Sequence, residues 1–227
     1  MNRTIFSLVA VAVLAAGCAA TKSGDADDIR YSGYLSSYEG LVKTADSDFA
    51  AFRYIKPGID LLPYTGILVE KPQALMSEQT TADIGTEDMA YLLSSFDESL
   101  RTTLGTKFKL VSQPGPGVLR VRSCLTDADS SIGALTPFSR LVPVGLVIST
   151  AKKVATGTAV NVGKVTAEME IVDAASGEQL GAAVDRRIGT GVTRLMFTNW
   201  GDVRAVFDVW AERTAERLQE KGLRPVR

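Results

Sequence analysis

Three features predict an α+β domain. Two stretches carry apolar residues at helical spacing, several short segments alternate apolar with polar side chains, and turns rich in proline or glycine separate them. Each helix has one apolar stripe to bury, and the alternating strands offer one apolar face. The economical arrangement is a single, largely antiparallel sheet of about five strands with two main helices packed on one face.

The elements follow in chain order. Ala19–Arg30, AATKSGDADDIR, is small and polar and reads as a flexible tether; such a chain has an r.m.s. span of roughly 20 Å. From Tyr31 to Tyr64 the chain holds five of its six tyrosines, with Phe49 and Phe52, an aromatic content foreign to disordered linkers. Tyr31, Tyr34 and Tyr38 follow helical spacing. They could form a stacking platform for a glycan, with Tyr34 and Tyr38 as binding residues. The expectation is instead that they anchor an irregular arm to the domain.

GILVE (Gly66–Glu70) reads as a buried strand. In TEDMAYLLSSFDESLRTTLG, Thr86 can cap a helix, Glu87 and Asp88 suit its positive end, and Gly105 supplies a stop. Met89, Leu92, Leu93, Phe96, Leu100 and Leu104 make its stripe. Phe108–Ser112 is expected as a strand, QPGPG as a turn, and Val118–Thr126 as a further strand. On that last strand Leu119, Val121, Ser123 and Leu125 face one way, while Arg120, Arg122 and Cys124 face the other. Asp127–Thr156 is expected to be a surface loop with a local helix. Its apolar part, Leu141–Ala151, is broken by Pro143 and Gly145 and is unfit to span a membrane, though it could form a flap near lipid.

Val162–Asp173 alternates cleanly: Val165, Ala167, Met169 and Ile171 inward, Lys164, Thr166, Glu168 and Glu170 outward. DAASGEQ turns the chain, and Leu180, Ala182 and Val184 are expected to continue the inner face. The outer face would then carry Arg120, Arg122, Lys164, Glu168 and Glu170 as cross-strand pairs in water. TNWGDVRAVFDVWAERTAERLQEKG is the second main helix. Asn199 and Asp202 resemble a capping pair, Trp200, Val203, Phe207, Trp210, Thr214 and Leu218 form one face, and Lys221 sits near the negative end.

The N-terminus sets the address. Asn2 and Arg3 precede an apolar run from Ile5 to Ala16 broken only by Ser7, too short to cross a bilayer but suited to a secretory leader. The run ends Leu14-Ala15-Ala16-Gly17-Cys18 and resembles the lipobox of bacterial lipoproteins, with the usual leucine one place early so that Ala15 fills its slot. The resemblance implies removal of residues 1–17, lipid on Cys18 and membrane attachment through that lipid. One acyl chain binds marginally, and two or more hold firmly. Ala19 stands where an inner-membrane retention signal carries aspartate, which implies the outer membrane, facing the periplasm. The expected organisation is a leader at 1–17, a lipidated tether at 18–30, a single domain at 31–222 and a tail at 223–227.

Charge is balanced, 25 Lys plus Arg against 26 Asp plus Glu, so no basic excess points to nucleic acid. Histidine is absent, which excludes Ser–His–Asp and Cys–His catalysis and the usual zinc sites, leaving carboxylate and lysine schemes. With Cys18 acylated, Cys124 is alone; a small strand residue without chemistry is the expectation, an intermolecular disulfide the alternative. GTAVNVGKV fails as a phosphate loop, because five residues separate Gly157 from Gly163 and Val165 follows Lys164. Gly115–Gly117 lacks the context of a dinucleotide site. Asp127, Asp129, Asp173 and Asp185 show no full calcium ligand pattern and are expected at turns and strand ends. Arg186 and Arg187 in VDRR could grip an anionic headgroup, or simply mark a charged strand end.

YSGYLSSYEGL, RYIKPGIDL, QPGPGVLRVRSCLTDAD, EMEIVDAASGEQLGAAVDRR and WGDVRAVFDVWAERTAERL, in that order, resemble the bacterial lipoproteins of domain-of-unknown-function family 3313. The resemblance runs from Tyr31 to Leu218 and implies a single domain with a lipoprotein address; the family has no assigned activity, so it carries no catalytic residues across. The expected role is a non-enzymatic accessory or binding module of the envelope, without cofactor or metal, meeting an envelope protein or an amphiphilic ligand. Alternatives are a carrier of lipid or another amphiphile and, behind it, a hydrolase working with carboxylates alone.

Overall fold

The computed structural model describes residues 21–23, 29–44, 50–129, 164–189 and 201–226. The leader with Cys18, the Leu141–Ala151 segment, Gly157–Gly163, Asn199 and Trp200 lie outside the described residues. Three short strands come first: β1 (Thr21–Ser23), β2 (Val42–Lys43) and β3 (Phe52–Ile55). Next come β4 (Gly66–Val69), β5 (Gln73–Ala74) and the helices α1 (Glu78–Ile84) and α2 (Thr86–Lys107). Three long strands, β6 (Val118–Asp129), β7 (Lys164–Asp173) and β8 (Gln179–Gly189), form the centre, and α3 (Gly201–Glu220) follows. The sheet order is β2-β3-β8-β7-β6-β4; β1 lies along β8 beyond β3, and β5 along β6 beyond β4.

The α+β class holds, but the sheet differs from the expected one. Among the described residues it has eight strands, and it is mixed, because β4 and β5 run parallel to β6. The chain returns from β4 to its neighbour β6 through two helices, the long crossover that parallel pairing requires. The strands missed by periodicity, β1, β2, β3 and β5, are two to four residues long, too short to show a period. Phe108–Ser112 is not a strand. Leu110 makes a single parallel bridge to Ile67, whose N–H donates to Lys109 O and whose carbonyl accepts from Val111 N–H, each at 2.9 Å, so the segment covers the β4 edge. Gly85, at φ 80°, separates α1 from α2, and α2 runs past Gly105 to Lys107.

Both long helices pack on one sheet face. Phe96 of α2 stacks on Phe207 of α3 with centroids 4.7 Å apart, and Trp210 leans on both. Ser99 Oγ donates to Asp208 at 2.6 Å and ties the helices together. Leu119, Val121, Leu125, Val165 and Ala167 meet them from below.

Register shifts decide the rest. β7 and β8 slip between Ile171 and Val172, so that Ile171 pairs with Gly181 and Val172 with Gln179. A shift of this kind swaps the faces of all that follows. Leu180 stays in the helix-side core as expected, but Ala182 and Val184 turn to the opposite face. Asp185 and Arg187 turn under the helices instead. Asp185 Oδ2 accepts from Arg187 Nε at 2.6 Å and from Trp210 Nε1 at 2.7 Å.

The face expected to meet water is covered. The segment from Ile29 to Leu41, without helix, lies across it, and Tyr34 and Leu35 pack on Cys124, Ala182 and Val184. Glu168 and Glu170 are 0% and 1% exposed beneath it. Ser32 donates its N–H and its hydroxyl to Glu168, as does the hydroxyl of Tyr38. Ser36 donates likewise to Glu170, joined by Gln179 Nε2 and the Arg122 guanidinium. Tyr38 also accepts from Gly33 N–H at 2.7 Å, which closes the arm on itself where Gly33 takes φ 86°. Tyr31 stacks on Tyr38 at 4.6 Å. The anchor reading of the tyrosines is what the fold contains. Contacts extend past both ends of the expected domain: Thr21–Ser23 pairs with β8, Leu223 is buried, and Val226 N–H donates to Lys107 O.

Tyr38→Phe removes a hydrogen bond to a buried carboxylate, so chemical denaturation should show a loss of about 2 kcal/mol; an unchanged midpoint would contradict this account of the arm. Burial pushes the Cys124 thiol up to about 12, and the residue is fully inaccessible. Thiolate is the reactive form, so iodoacetamide at pH 8 should leave Cys124 of the folded protein unmodified and label it fully in denaturant.

Candidate binding groove beside the C-terminal helix

The sheet is six strand positions wide. Strands lie ~4.8 Å apart and a helix with its side chains is about 10 Å across, so two helices cover about four positions. Together α2 and α3 leave the β8–β3 side of their face open. A groove with a cavity of about 130 Å³ lies there, along the outer flank of α3.

Each wall follows from parity. Phe52 and Tyr54 pair opposite Val184 and Ala182 on the arm face, which turns Arg53 and Ile55 into the groove. Met169, Leu180 and Ala183 form the floor, with Ile59 and Leu61 at one end and Trp210, Thr214 and Leu218 on the α3 side. Arg213 and Arg217 share one flank of α3, Lys221 follows four residues later in the turn just past its end, and all three line the mouth. Arg213 pairs with Glu216 at 2.9 Å and Arg217 with Glu220 at 2.7 Å; both acids are about half exposed. Asp185 stands at the inner end. Its Oδ1, like Nη2 of Arg187, is buried without a hydrogen-bond partner among the described residues.

The residues singled out from sequence do not assemble into a site. Tyr34 is buried in the arm, its hydroxyl pushed up to about 12 by burial, and the Arg122 guanidinium stands 4.9 Å above its ring. Tyr38 is engaged by Glu168, and burial together with that carboxylate raises its hydroxyl above the usual tyrosine range. Arg186 donates to Thr166 Oγ1 and lies 3.8 Å from Asp127, whereas Arg187 is buried under the helices. Strand alternation puts the two arginines on opposite faces, so VDRR is no joint grip for a headgroup. Asp173 keeps its expected turn role. Backbone N–H groups of Ser176 and Ala175 and the Tyr64 hydroxyl hold its carboxyl below the ordinary range.

Glu168 and Glu170 are the paired carboxylates of the fold, and every one of their oxygens accepts from the arm or its neighbours. Among the described residues no three His, Cys, Asp or Glu side chains gather as for a metal ion, and no helix is long and apolar enough to cross a membrane. The groove residues escaped the sequence reading. The spacing of Arg213, Arg217 and Lys221 is visible in the sequence, but it equally describes any solvated helix flank.

In overall form the chain is similar to PelC from Paraburkholderia phytofirmans, crystallised as a dodecamer. The TM-score is 0.38 at 10% identity, over 71% of this chain and 93% of that one. It is also similar to a neuraminyllactose-binding hemagglutinin homolog from Helicobacter pylori, with a TM-score of 0.31 at 10% identity over 74% and 88% of the two chains. The uncharacterized lipoprotein YdcL of Escherichia coli strain K12 is 27% identical over 179 residues, 78% of this chain and 79% of YdcL. YdcL of strain O157:H7 matches to the same extent. The family described as protein of unknown function, DUF3313, matches residues 30–214, and the chain belongs to it.

Proposed function

We propose that this protein is a binding module of the bacterial envelope, held to the outer membrane by lipid on Cys18, facing the periplasm, and that it binds a ligand or partner without transforming it. The observation that carries the binding reading is the groove beside α3, a concavity of about 130 Å³ with an apolar floor and a cationic mouth. The address is supported by the lipobox-like LAAGC, by Ala19 after the cysteine, and by YdcL being a lipoprotein over a comparable length. A non-catalytic role is supported by the engagement of Glu168 and Glu170 in holding the arm, and by a chain without histidine. Cys18→Ala should move the protein from the membrane to the soluble periplasmic fraction; if the variant still fractionates wholly with membranes, the anchor is wrong.

A second reading, carriage of an amphiphile, is favoured by the composition of the groove floor: Met169, Leu180, Ala183 and Leu218 offer hydrocarbon contact and almost no polar partner. Gently purified Cys18→Ala protein should then show, by native mass spectrometry, a population heavier than the bare chain by one small hydrophobic ligand. A single apo mass counts against carriage.

A further inference from the structure

We propose that the α3 groove takes a free, single-chain anionic amphiphile of the fatty-acid type, its hydrocarbon on the floor of Met169, Leu180 and Ala183 and its acid head between Arg53 and Lys221. This deepens the carrier reading and rests on it. Three observations point the same way: volume, charge and position.

The cavity measures about 130 Å³. An apolar cavity of ~150 Å³ admits one benzene, so the enclosed part accepts a comparable stretch of one chain and not the paired chains of a phospholipid. The open mouth leaves room for the head and the rest of the chain at the surface.

Charge selects the head. Arg53, Arg213, Arg217 and Lys221 line the mouth from both sides, one from β3, two from α3 and one from the turn just after it. Of the acids that contribute to the lining, Asp185 is ion-paired with Arg187 and accepts a hydrogen bond from Trp210, and the Glu170 side chain lies on the opposite face under the arm. Glu216 and Glu220 pair with Arg213 and Arg217 at the surface. Such exposed pairs contribute at most about 1 kcal/mol, and the acid head is assigned to Arg53 and Lys221 rather than to these two arginines.

Position selects the source. β1 pairs with β8 so that Thr21 lies opposite Gly189. Two residues, Ala19 and Ala20, separate Cys18 from Thr21, a span of at most about 10 Å, so the proposed acyl attachment lies near the Gly189 end of β8. Leu180, Arg217 and Lys221 lie toward the other end of that strand, and Leu180 is roughly 30 Å along it from Gly189 at ~3.3 Å per residue. The Leu180 and Lys221 end of the groove therefore lies away from the anchored end, toward ligands that come through the aqueous periplasm.

The test uses the full chain with Cys18→Ala, purified without detergent, and follows tryptophan emission, since Trp210 lines the groove. Dodecanoate, dodecyl maltoside and dodecyltrimethylammonium are titrated below micelle-forming concentrations, alongside phosphatidylglycerol vesicles. Dodecanoate should bind one per chain, about tenfold or more tighter than the cationic amphiphile. Arg53→Ser with Lys221→Ser should weaken dodecanoate about tenfold and leave dodecyl maltoside unchanged. Ala183→Phe fills the floor and should abolish binding of all three while melting as the parent does. If it melts normally and still binds, the site is elsewhere and the proposal fails. If it does not fold, the two surface substitutions decide. Equal affinity for both charged amphiphiles overturns the anionic head while carriage stands. A response to vesicles alone overturns the free ligand as source. No response to any probe overturns both the proposal and the carrier reading, and assigns the groove to a protein partner or to the chain's own residues.

Discussion

Two carboxylates under an irregular arm hold the architecture together. A sheet covered by helices on one face must either solvate the other or cover it, and here a segment without helix or long strand covers it. Such a segment has few backbone partners of its own. Glu168 and Glu170 supply them, taking backbone N–H groups and hydroxyls from Ser32, Ser36 and Tyr38. Buried ionised groups are tolerated only when their oxygens are satisfied. The arm needs the glutamates as acceptors and the glutamates need the arm as donor, so neither is stable in place without the other.

This mutual dependence frees the opposite face for a different task. With the arm closing one side, helices are required only over the central strands, where Phe96, Phe207 and Trp210 pack. Among the described residues the β3 side of the helix face is a concavity. Asp185, Arg187 and Trp210 form its inner end as a hydrogen-bonded unit. A buried pair of this kind contributes little to stability against an apolar replacement, yet is costly to break singly. Its place at the end of an apolar groove is consistent with fixing the shape of that end.

Short strands also bear on the proposed anchor. Pairing of Thr21–Ser23 with Arg187–Gly189 ties the chain to β8 only a few positions after Cys18. On the proposed attachment at Cys18, that end of β8 would lie nearest the bilayer.

The amino-acid sequence by itself determined the lipoprotein-like start, the two long helices, the three long strands and the turns at Gly117 and Gly177, because leader hydropathy, helical stripes, alternation and positive-φ glycine are local signals. It also marked the tyrosines as anchors through their number alone. Tertiary structure decided what each face meets. Alternation along β7 shows that Glu168 and Glu170 point away from Met169, but not that Ser32 and Ser36, more than 130 residues earlier, will reach them. The slip between β7 and β8 is one residue in a ladder, invisible to composition, and it alone sends Ala182 and Val184 to the arm and Asp185 to the helices. The groove depends on how the strands pair and where α2 and α3 lie across them, a sum over long-range contacts that no single stretch of chain encodes.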